Sequence, residues 1–320
     1  MKVIVTGVSG YIGGQIALQL KDAGHTVIGI DREDCNLPIK LDKFVKADFA
    51  SVDGLAPIMI DFPDAVVHCA GTSLVGPSIA DPAEYYNNNV VKTIAMLDIV
   101  RSRIDQNIRV IFSSSAAAYG TPIMTPCQEV DPAEPISPYG ETKLAIERVL
   151  ESYHRAYGLD YVAFRYFNAC GADSQARHGQ KPGATHIIAR VLEGVKNGTQ
   201  FVCNGNNFET PDGTCVRDYV HVEDIARAHV MALENAVPAG VYNLGTAAGH
   251  SNIEIVAEAQ EVTGQEIPVE FGPAREGDPA TLTADAGKFN QVSGWKPAYT
   301  SNNIVQHAWA WYNKQKKSNV

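Results

Sequence analysis

A short apolar run followed at once by evenly spaced glycines limits what this chain can fold into more than any other stretch. Lys2-Val3-Ile4-Val5-Thr6 has the composition of a buried strand, and Ile12, Ile16 and Leu20 follow at helical spacing, ending near Gly24. Between them runs Gly7-Val8-Ser9-Gly10-Tyr11-Ile12-Gly13. Glycines at Gly7, Gly10 and Gly13 permit a tight turn, a close approach of backbone to a pyrophosphate, and close packing of helix on sheet. The next apolar run, Thr26 to Ile30, ends on Asp31. A carboxylate there can accept hydrogen bonds from an adenosine ribose and repels a 2'-phosphate, which points to NAD rather than NADP. Arg32 is the opposing signal, because a guanidinium could pair with such a phosphate. Strand, glycine turn, helix, strand and acid in this order predict a dinucleotide site.

The alternation continues through Phe44 to Ala47, Ala65 to His68, a helix over about 83–101, Arg109 to Phe112, a helix after Pro138, and Tyr161 to Arg165. Strands alternating with helices predict an α/β fold of Rossmann type, a doubly wound parallel sheet covered on both faces. Ligands of such sheets bind beyond the carboxyl ends of the strands. Asp48-Phe49, Cys69-Ala70-Gly71 and Ser113-Ser114-Ser115 each fall there. Past about residue 168 the alternation fades and glycine, asparagine and proline become frequent. The expected organisation is a dinucleotide domain over 1–168 and a smaller α/β lobe over 169–320, with segments interleaved around one cleft. In that lobe Thr214 to Val222 alternates like a strand before a helix carrying Ile225, His229, Ala232 and Leu233. Ser251 and Glu254 form a capping-box pattern, Gly264 can end the helix they open, and Ile304, Ala308 and Trp311 share a face of the last helix. His68 and the other histidines read as core or surface residues; no pair has metal-ligand spacing, and no metal is expected.

If Pro138 opens a helix, Tyr139 and Lys143 stand one turn apart on one face, so an ammonium can lie beside a phenol. A tyrosine titrates near pH ~10, and a neighbouring positive charge lowers that value toward the range of a useful base. The spacing alone favours the plainer reading, a buried aromatic and a solvated lysine at a helix start, and the rest of the chain has to reverse it. Ile146, Val149, Leu150, Tyr153 and Tyr157 follow at core spacing, with Glu147, Arg148 and Glu151 among the other positions. Tyr139 and Lys143 extend that stripe, so they should face the sheet edge where the serines end. Serine hydroxyl, tyrosine and lysine around a nicotinamide make a coherent proton-and-hydride site.

Composition narrows the alternatives. The 320 residues are 45% hydrophobic and 19% charged, ordinary for a folded soluble protein, and a net charge of −10 argues against nucleic acid or an anionic membrane as partner. Six scattered cysteines without paired spacing suggest neither disulfides nor zinc and fit a reducing cytoplasm. The chain opens directly on a strand, with no basic leader and no apolar run of membrane-spanning length.

Together these features resemble the extended short-chain dehydrogenase/reductases, and among them the enzymes that epimerise UDP-sugars. The likeness runs over nearly the whole chain. Besides the glycine turn and Asp31, it rests on His68-Cys69-Ala70-Gly71, Tyr85-Tyr86-Asn87-Asn88-Asn89-Val90 and Phe112 to Gly120. It continues through Tyr139 and Lys143, Arg165-Tyr166-Phe167-Asn168, Arg217 to Val222, Arg275 to Pro279, and Gly294-Trp295-Lys296-Pro297. The resemblance implies that Tyr11 and Ile12 contact the cofactor pyrophosphate, Asp31 its ribose, Asp48 and Phe49 its adenine, and Asn89 and Lys143 the nicotinamide ribose region. Arg32, Cys69, Ala70, Gly71 and Ser113 complete the implied NAD site. Phe167 and Asn168 would lie between nicotinamide and sugar, and Arg217, Arg275 and Asp278 would hold the diphosphate and uridine ribose. His186, Phe201 and Leu282 complete the implied substrate site.

The implied reaction is oxidation and reduction in one place. Tyr139, as phenolate and with help from Ser115, removes the proton of the sugar 4'-hydroxyl while hydride passes to NAD; the 4-keto sugar turns and is reduced on its other face. Lys143 and the positive nicotinamide would both lower the Tyr139 pKa. Three positions depart from the family pattern: Ser73 replaces a lysine near the cofactor phosphates, Leu282 stands where a residue tests room at C2', and Thr185-His186-Ile187 replaces an asparagine pair. A nucleotide-sugar dehydratase or decarboxylase would carry an acid after the active serine, where Ala116 and Ala117 stand and cannot exchange a proton. A silent NAD-binding protein would need the glycine turn but no base, and a simple reductase would turn over NADPH. The family often dimerises through the helices of about 83–101 and 140–157, so a homodimer is expected.

Overall fold

The computed structural model of the protein describes residues 1–275 and 278–317. Its strands are β1 (Lys2–Thr6), β2 (Thr26–Asp31), β3 (Lys43–Lys46), β4 (Ala65–His68), β5 (Arg109–Ser115), β6 (Tyr161–Tyr166), β7 (Asn168–Cys170), β8 (Phe201–Asn204), β9 (Val216–His221), β10 (Gly240–Leu244), β11 (Gly249–Ser251), β12 (Val269–Gly272) and β13 (Thr281–Leu282). Seven of them form one sheet in the order β10-β6-β5-β4-β1-β2-β3. Every pairing in it is parallel. The chain leaves β1 toward β2 and β3 on one side, then returns to build β4, β5 and β6 on the other. The switch point therefore lies between β1 and β4, and a crevice opens beyond their carboxyl ends. This is the doubly wound parallel sheet expected from the alternation. Residues of β1 and β4 such as Val3, Ile4, Val5, Val66 and Val67 are fully buried because helices cover both faces.

The helix Tyr11–Asp22 packs one face of the sheet together with the helix Val222–Glu234, which precedes β10. On the other face, the helix Pro138–Tyr157 is capped by the Ser137 side chain at its start and by Gly158 at φ 75° at its end. Two local departures from expectation matter here. The serines extend β5 to Ser115 instead of following it. The segment over about 83–101 is not one regular helix: Pro82–Tyr85 and Lys92–Arg101 flank a π-helical turn at Tyr86–Val91. A π turn inserts a residue into the helical register and redirects the side chains after it.

The smaller lobe carries β11-β9-β13 with β7 also on β9, and a separate pair β12-β8. Its core gathers Ile188, Leu192, Ile255, Ile304 and Tyr312. The capping box of Ser251 and Glu254 forms as expected, and Gly264 closes that helix at φ 67°. Ile304 and Ala308 are buried, whereas Trp311 is half-buried and donates its indole N–H to the Gln180 carbonyl. Among the described residues no helix is long and apolar enough to cross a membrane.

Candidate active site

The first wall of the crevice is backbone. Gly7 leaves β1 at φ 70°, in the left-handed region that favours glycine, and its N–H bonds the Ile30 carbonyl at 3.0 Å. A Cβ on Gly7 would stand 2.7 Å from the Ala70 nitrogen, and one on Gly13 would stand 2.2 Å from the Gly7 carbonyl. Gly10 caps the helix Tyr11–Asp22 without any side-chain bond. The first-turn N–H groups thus keep their capacity for an anion, with the helix dipole favouring negative charge. Asp31, at the end of β2, accepts the Ser9 N–H at 2.9 Å and the Glu33 N–H at 3.0 Å, one on each oxygen. Each oxygen retains a further lone pair for a ribose hydroxyl. Arg32 beside it is exposed.

Tyr11 ties this helix to the small lobe by donating its hydroxyl to the Gly171 carbonyl at 2.8 Å, and Ile12 packs partly buried beneath the turn. Asp48 accepts the Lys92 ammonium at 2.5 Å and the Ala50 N–H at 3.0 Å. Burial by itself would raise its carboxyl, but the Lys92 bond and the backbone donor hold it below the usual range. Phe49 is buried with its ring 4.8 Å from that of His68. His68 sits between the Thr6 and Thr93 hydroxyls at 2.7 and 2.9 Å. Burial, with the Lys143 charge, lowers it to about 3, so it is a neutral core residue. Cys69, Ala70 and Gly71 turn away from β4, with the Ala70 N–H on the Thr6 hydroxyl. Asn89, from the π turn, accepts the Thr72 N–H and donates to the Thr72 carbonyl and to the Thr142 hydroxyl, at 2.7, 2.9 and 3.1 Å. It thereby joins the loop after β4 to the Tyr139 helix.

Tyr139, Lys143 and the serine strand meet where expected. Gly140 makes this possible: a Cβ there would stand 2.4 Å from the Ala117 carbonyl, so only glycine lets the helix start this close to the end of β5. Ser115 stands beside the Tyr139 phenol and accepts the Ala117 N–H at 3.2 Å. Lys143 is buried, donates to the Ser113 carbonyl at 2.8 Å, and lies 5.7 Å from the Tyr139 ring centroid and 4.9 Å from that of Phe112. The Ser113 hydroxyl meets Tyr166 at 2.9 Å and the Cys69 sulfur at 3.2 Å.

The electrostatics correct one expectation. Burial raises Tyr139 above its ordinary value, and the Ser115 hydroxyl only partly offsets that. In the protein alone burial of the phenol outweighs the lysine, whose ammonium donates to the Ser113 carbonyl and is itself lowered to about 8 by burial. A further correction concerns the same helix: Tyr157 is 48% exposed, although its spacing reads as core, and Glu147 is buried, although it falls outside the apolar stripe.

On the other side of the crevice, Phe167 is buried against Tyr119, with ring centroids 6.3 Å apart, and Asn168 starts β7. Arg217 is buried on β9, donates to the Val216 and Pro279 carbonyls at 2.9 and 2.7 Å, and faces Asp278 at 3.5 Å. Leu282 is its register partner on β13. Glu276 and Gly277 of the Arg275 to Pro279 run lie outside the described residues. Arg275 is exposed and meets Asn204, whose amide oxygen, turned toward it, accepts Nε at 3.1 Å and a terminal nitrogen at 3.0 Å. His186 caps the helix Ile187–Asn197 without a side-chain bond. Phe201 is 4% exposed against the core of the small lobe, under the Arg190 guanidinium at 5.3 Å, and with Arg190 it lines a surface hollow. Ser73 gives its carbonyl to the buried Tyr85 hydroxyl at 2.7 Å. No site role follows from the sequence for Tyr85 and Glu147, which stand there only as part of a motif and of a helix, or for Thr142 and Asn204; Thr142 and Glu147 are one turn from Tyr139 and Lys143, a spacing that could have flagged them.

A glycine cradle that any Cβ would fill, an uncapped helix start and a carboxylate at the second strand suit a dinucleotide, and a serine, tyrosine and lysine suit proton and hydride transfer. The chain belongs to the NAD dependent epimerase/dehydratase family, whose model matches residues 3–245. Within it the chain is similar to UDP-glucose 4-epimerases along nearly its whole length. It is 40% identical over 322 residues to that of Halalkalibacterium halodurans, covering 98% of this chain and 96% of the relative. The solved UDP-glucose 4-epimerase of Brucella ovis in complex with NAD superimposes with a TM-score of 0.90 at 39% identity, covering 97% of each chain. That of Bifidobacterium longum in complex with NAD+ and UDP gives 0.91 at 32% identity over 99% of each.

Proposed function

We propose that this protein interconverts UDP-galactose and UDP-glucose, as an NAD-dependent 4-epimerase acting on UDP-sugars. The observation that carries the reading is the meeting of Ser115, Tyr139 and Lys143 at one sheet edge, beside Ala116 and Ala117, which bring no acid there. NAD, when bound, supplies a reversible acceptor and donor of hydride. Gly7, Gly10, Tyr11, Ile12 and Gly13 would hold its pyrophosphate, and Asp31 its ribose, with exposed Arg32 outside. Asp48 and Phe49 would flank its adenine. Cys69, Ala70, Gly71, Ser113 and Phe167 would line its path, and Asn89 and Lys143 would meet the nicotinamide ribose.

Tyr139 takes the proton of the sugar 4'-hydroxyl in the direction of oxidation and returns it in the direction of reduction. Ser115 shares that hydrogen bond. As the proton leaves the hydroxyl and hydride leaves C4', a 4-keto sugar remains. When it turns about its diphosphate link, its other face is presented and the 4'-configuration is inverted on reduction. The positive nicotinamide of oxidised cofactor, when bound, would act with Lys143 to lower the Tyr139 phenol against the rise caused by burial. Arg217, Arg275 and Asp278 would hold the diphosphate and uridine ribose while the sugar turns, with His186, Asn168 and Leu282 around it. Arg217 is already buried and immobilised, so little is lost on binding. Phe201 would support that end of the site through packing.

The substrate pair would place the enzyme in galactose metabolism, and six free cysteines suit a reducing cytoplasm. Purified protein incubated with UDP-galactose and no added cofactor should yield UDP-glucose until the two reach equilibrium. Steady net reduction of added NAD would sink this reading in favour of a dehydrogenase.

A further inference from the structure

Beneath the site lies a buried charged cluster that the reaction as described does not use. Arg165 on β6 and Ser114 on β5 are register partners on neighbouring strands. Both reach the same carboxylate. Ser114 donates its hydroxyl to Glu147 Oε1 at 2.5 Å, and Arg165 gives Nε to that oxygen at 2.9 Å and a terminal nitrogen to Oε2 at 2.6 Å. Both Glu147 and Arg165 are 4% exposed. A buried ion pair is weak evidence for stability, because desolvation offsets most of the attraction, so its position in the fold is the informative part.

That position is specific. Tyr139, Lys143 and Glu147 follow at four-residue steps on one face of the helix Pro138–Tyr157. Their partners are three successive residues of β5: Ser115 beside Tyr139, the Ser113 carbonyl under Lys143, and the Ser114 hydroxyl under Glu147. Three turns of helix are thus pinned to three residues of strand. Of the three ties, only Glu147 also reaches a second strand, through Arg165, whose guanidinium lies 4.5 Å from the Tyr119 ring centroid.

We propose that Glu147, with Arg165 and Ser114, is a positioning residue of this active site, locking the Tyr139 helix in register against the serine strand. The proposal rests on the epimerase reading above. Glu147 is buried with both its oxygens bonded to Arg165 and Ser114, so it acts through Tyr139 and Lys143. The same carboxylate also opposes the lowering of the Lys143 ammonium by burial.

The test uses the full chain carrying its NAD, with activity expressed per molecule of bound nucleotide. Glu147→Gln keeps the length of the side chain but sets an amide donor against the Arg165 guanidinium. It should lower kcat by ~10-fold or more and leave KM for UDP-galactose within about 2-fold, because small misplacements at a proton-transfer centre cost rate, not affinity. Ser114→Ala removes one tie and strands no charge, so it keeps the question open to measurement if the first variant does not fold; it should lower kcat several-fold with the same KM. Variants whose kcat per bound NAD equals that of the wild type would overturn the proposal, as would a loss of activity that only tracks loss of folded, NAD-loaded protein. A wild-type chain that epimerises no UDP-sugar would instead sink the underlying function, and this role with it.

Discussion

Tyr139 stands where its surroundings disfavour charge: its phenol is raised by burial, the Tyr85 ring meets its own edge to face with centroids 6.3 Å apart, and the Lys143 ammonium donates to the Ser113 carbonyl. Replacing it with phenylalanine removes the proposed proton carrier and leaves the glycine turn intact. Tyr139→Phe should therefore retain bound NAD and lose ~10² to 10⁴-fold in kcat; near-normal turnover in that variant would remove Tyr139 as the base. Lys143 gives a prediction of opposite character, in stability. Burial, opposed by Cys69 and Glu147, lowers it from 10.5 to about 8. Below the folded value both folded and unfolded chains hold the proton, and this group contributes no slope. Between about 8 and 10.5 the unfolded chain holds a proton that the folded chain has released, so the contribution of this group to stability rises with pH. Denaturant midpoints of the nucleotide-free chain across that window should show this rise relative to Lys143→Met, and parallel curves would exclude it. At this scale the sequence was legible for residue identity: Ser115, Tyr139 and Lys143 come together as their spacing implies. It misled on protonation, because a phenol's pKa depends on how much water the fold leaves around it, and spacing carries no measure of that.

The elements owe their placement to a few close approaches that the residue pattern announces only in part. The glycine turn after β1 is the clear case, since strand, glycines and helix are contiguous and their contacts are local. Gly140 is the hidden one. It stands two residues after Pro138 in what reads as an ordinary first turn, yet its missing Cβ allows the helix to sit against the Ala117 carbonyl. Gly140→Ala should destabilise the fold by about 1–3 kcal/mol, the usual cost of overpacking, and should lower kcat by moving Tyr139 away from Ser115. Thermal unfolding together with kcat would check this, and wild-type values for both would show that the helix has slack. Glu147 was illegible for a related reason. An acid at a position outside the apolar stripe reads as solvated unless one knows that an arginine from a strand formed later in the chain lies opposite. The π turn at Tyr86–Val91 was hidden too, as nothing in its composition separates it from a regular helix, although it is what aims Asn89 at Thr72 and Thr142.

At the level of the whole molecule, Tyr86, Val91 and Tyr157 are exposed at 43%, 59% and 48% on the two helical segments Tyr86–Arg101 and Pro138–Tyr157, which lie side by side through the Tyr153–Asp98 bond at 3.1 Å. We propose that these segments pack against their copies in a homodimer. Val91→Glu should then convert a dimeric species to a monomer in sedimentation analysis, and an unchanged sedimentation coefficient would place any interface elsewhere. The substrate side depends on long-range joins of another kind. Arg217 reaches Asp278 and Pro279, and the Tyr119 hydroxyl finds Asn243 at 2.8 Å. β10 returns to the sheet of the first half beside β6. Hydrophobic period determines which face of a strand or helix is buried, so the sequence by itself determined the parallel α/β architecture and pointed to the glycine turn and to Ser115, Tyr139 and Lys143, all of which lie within single elements or between consecutive ones. Period does not name a partner. Which carboxylate neutralises Arg165, how deeply Phe201 is packed under Arg190, and whether burial or the nearby lysine prevails at Tyr139 were decided only by the tertiary structure, because each depends on side chains far apart in the chain and on the water their packing excludes.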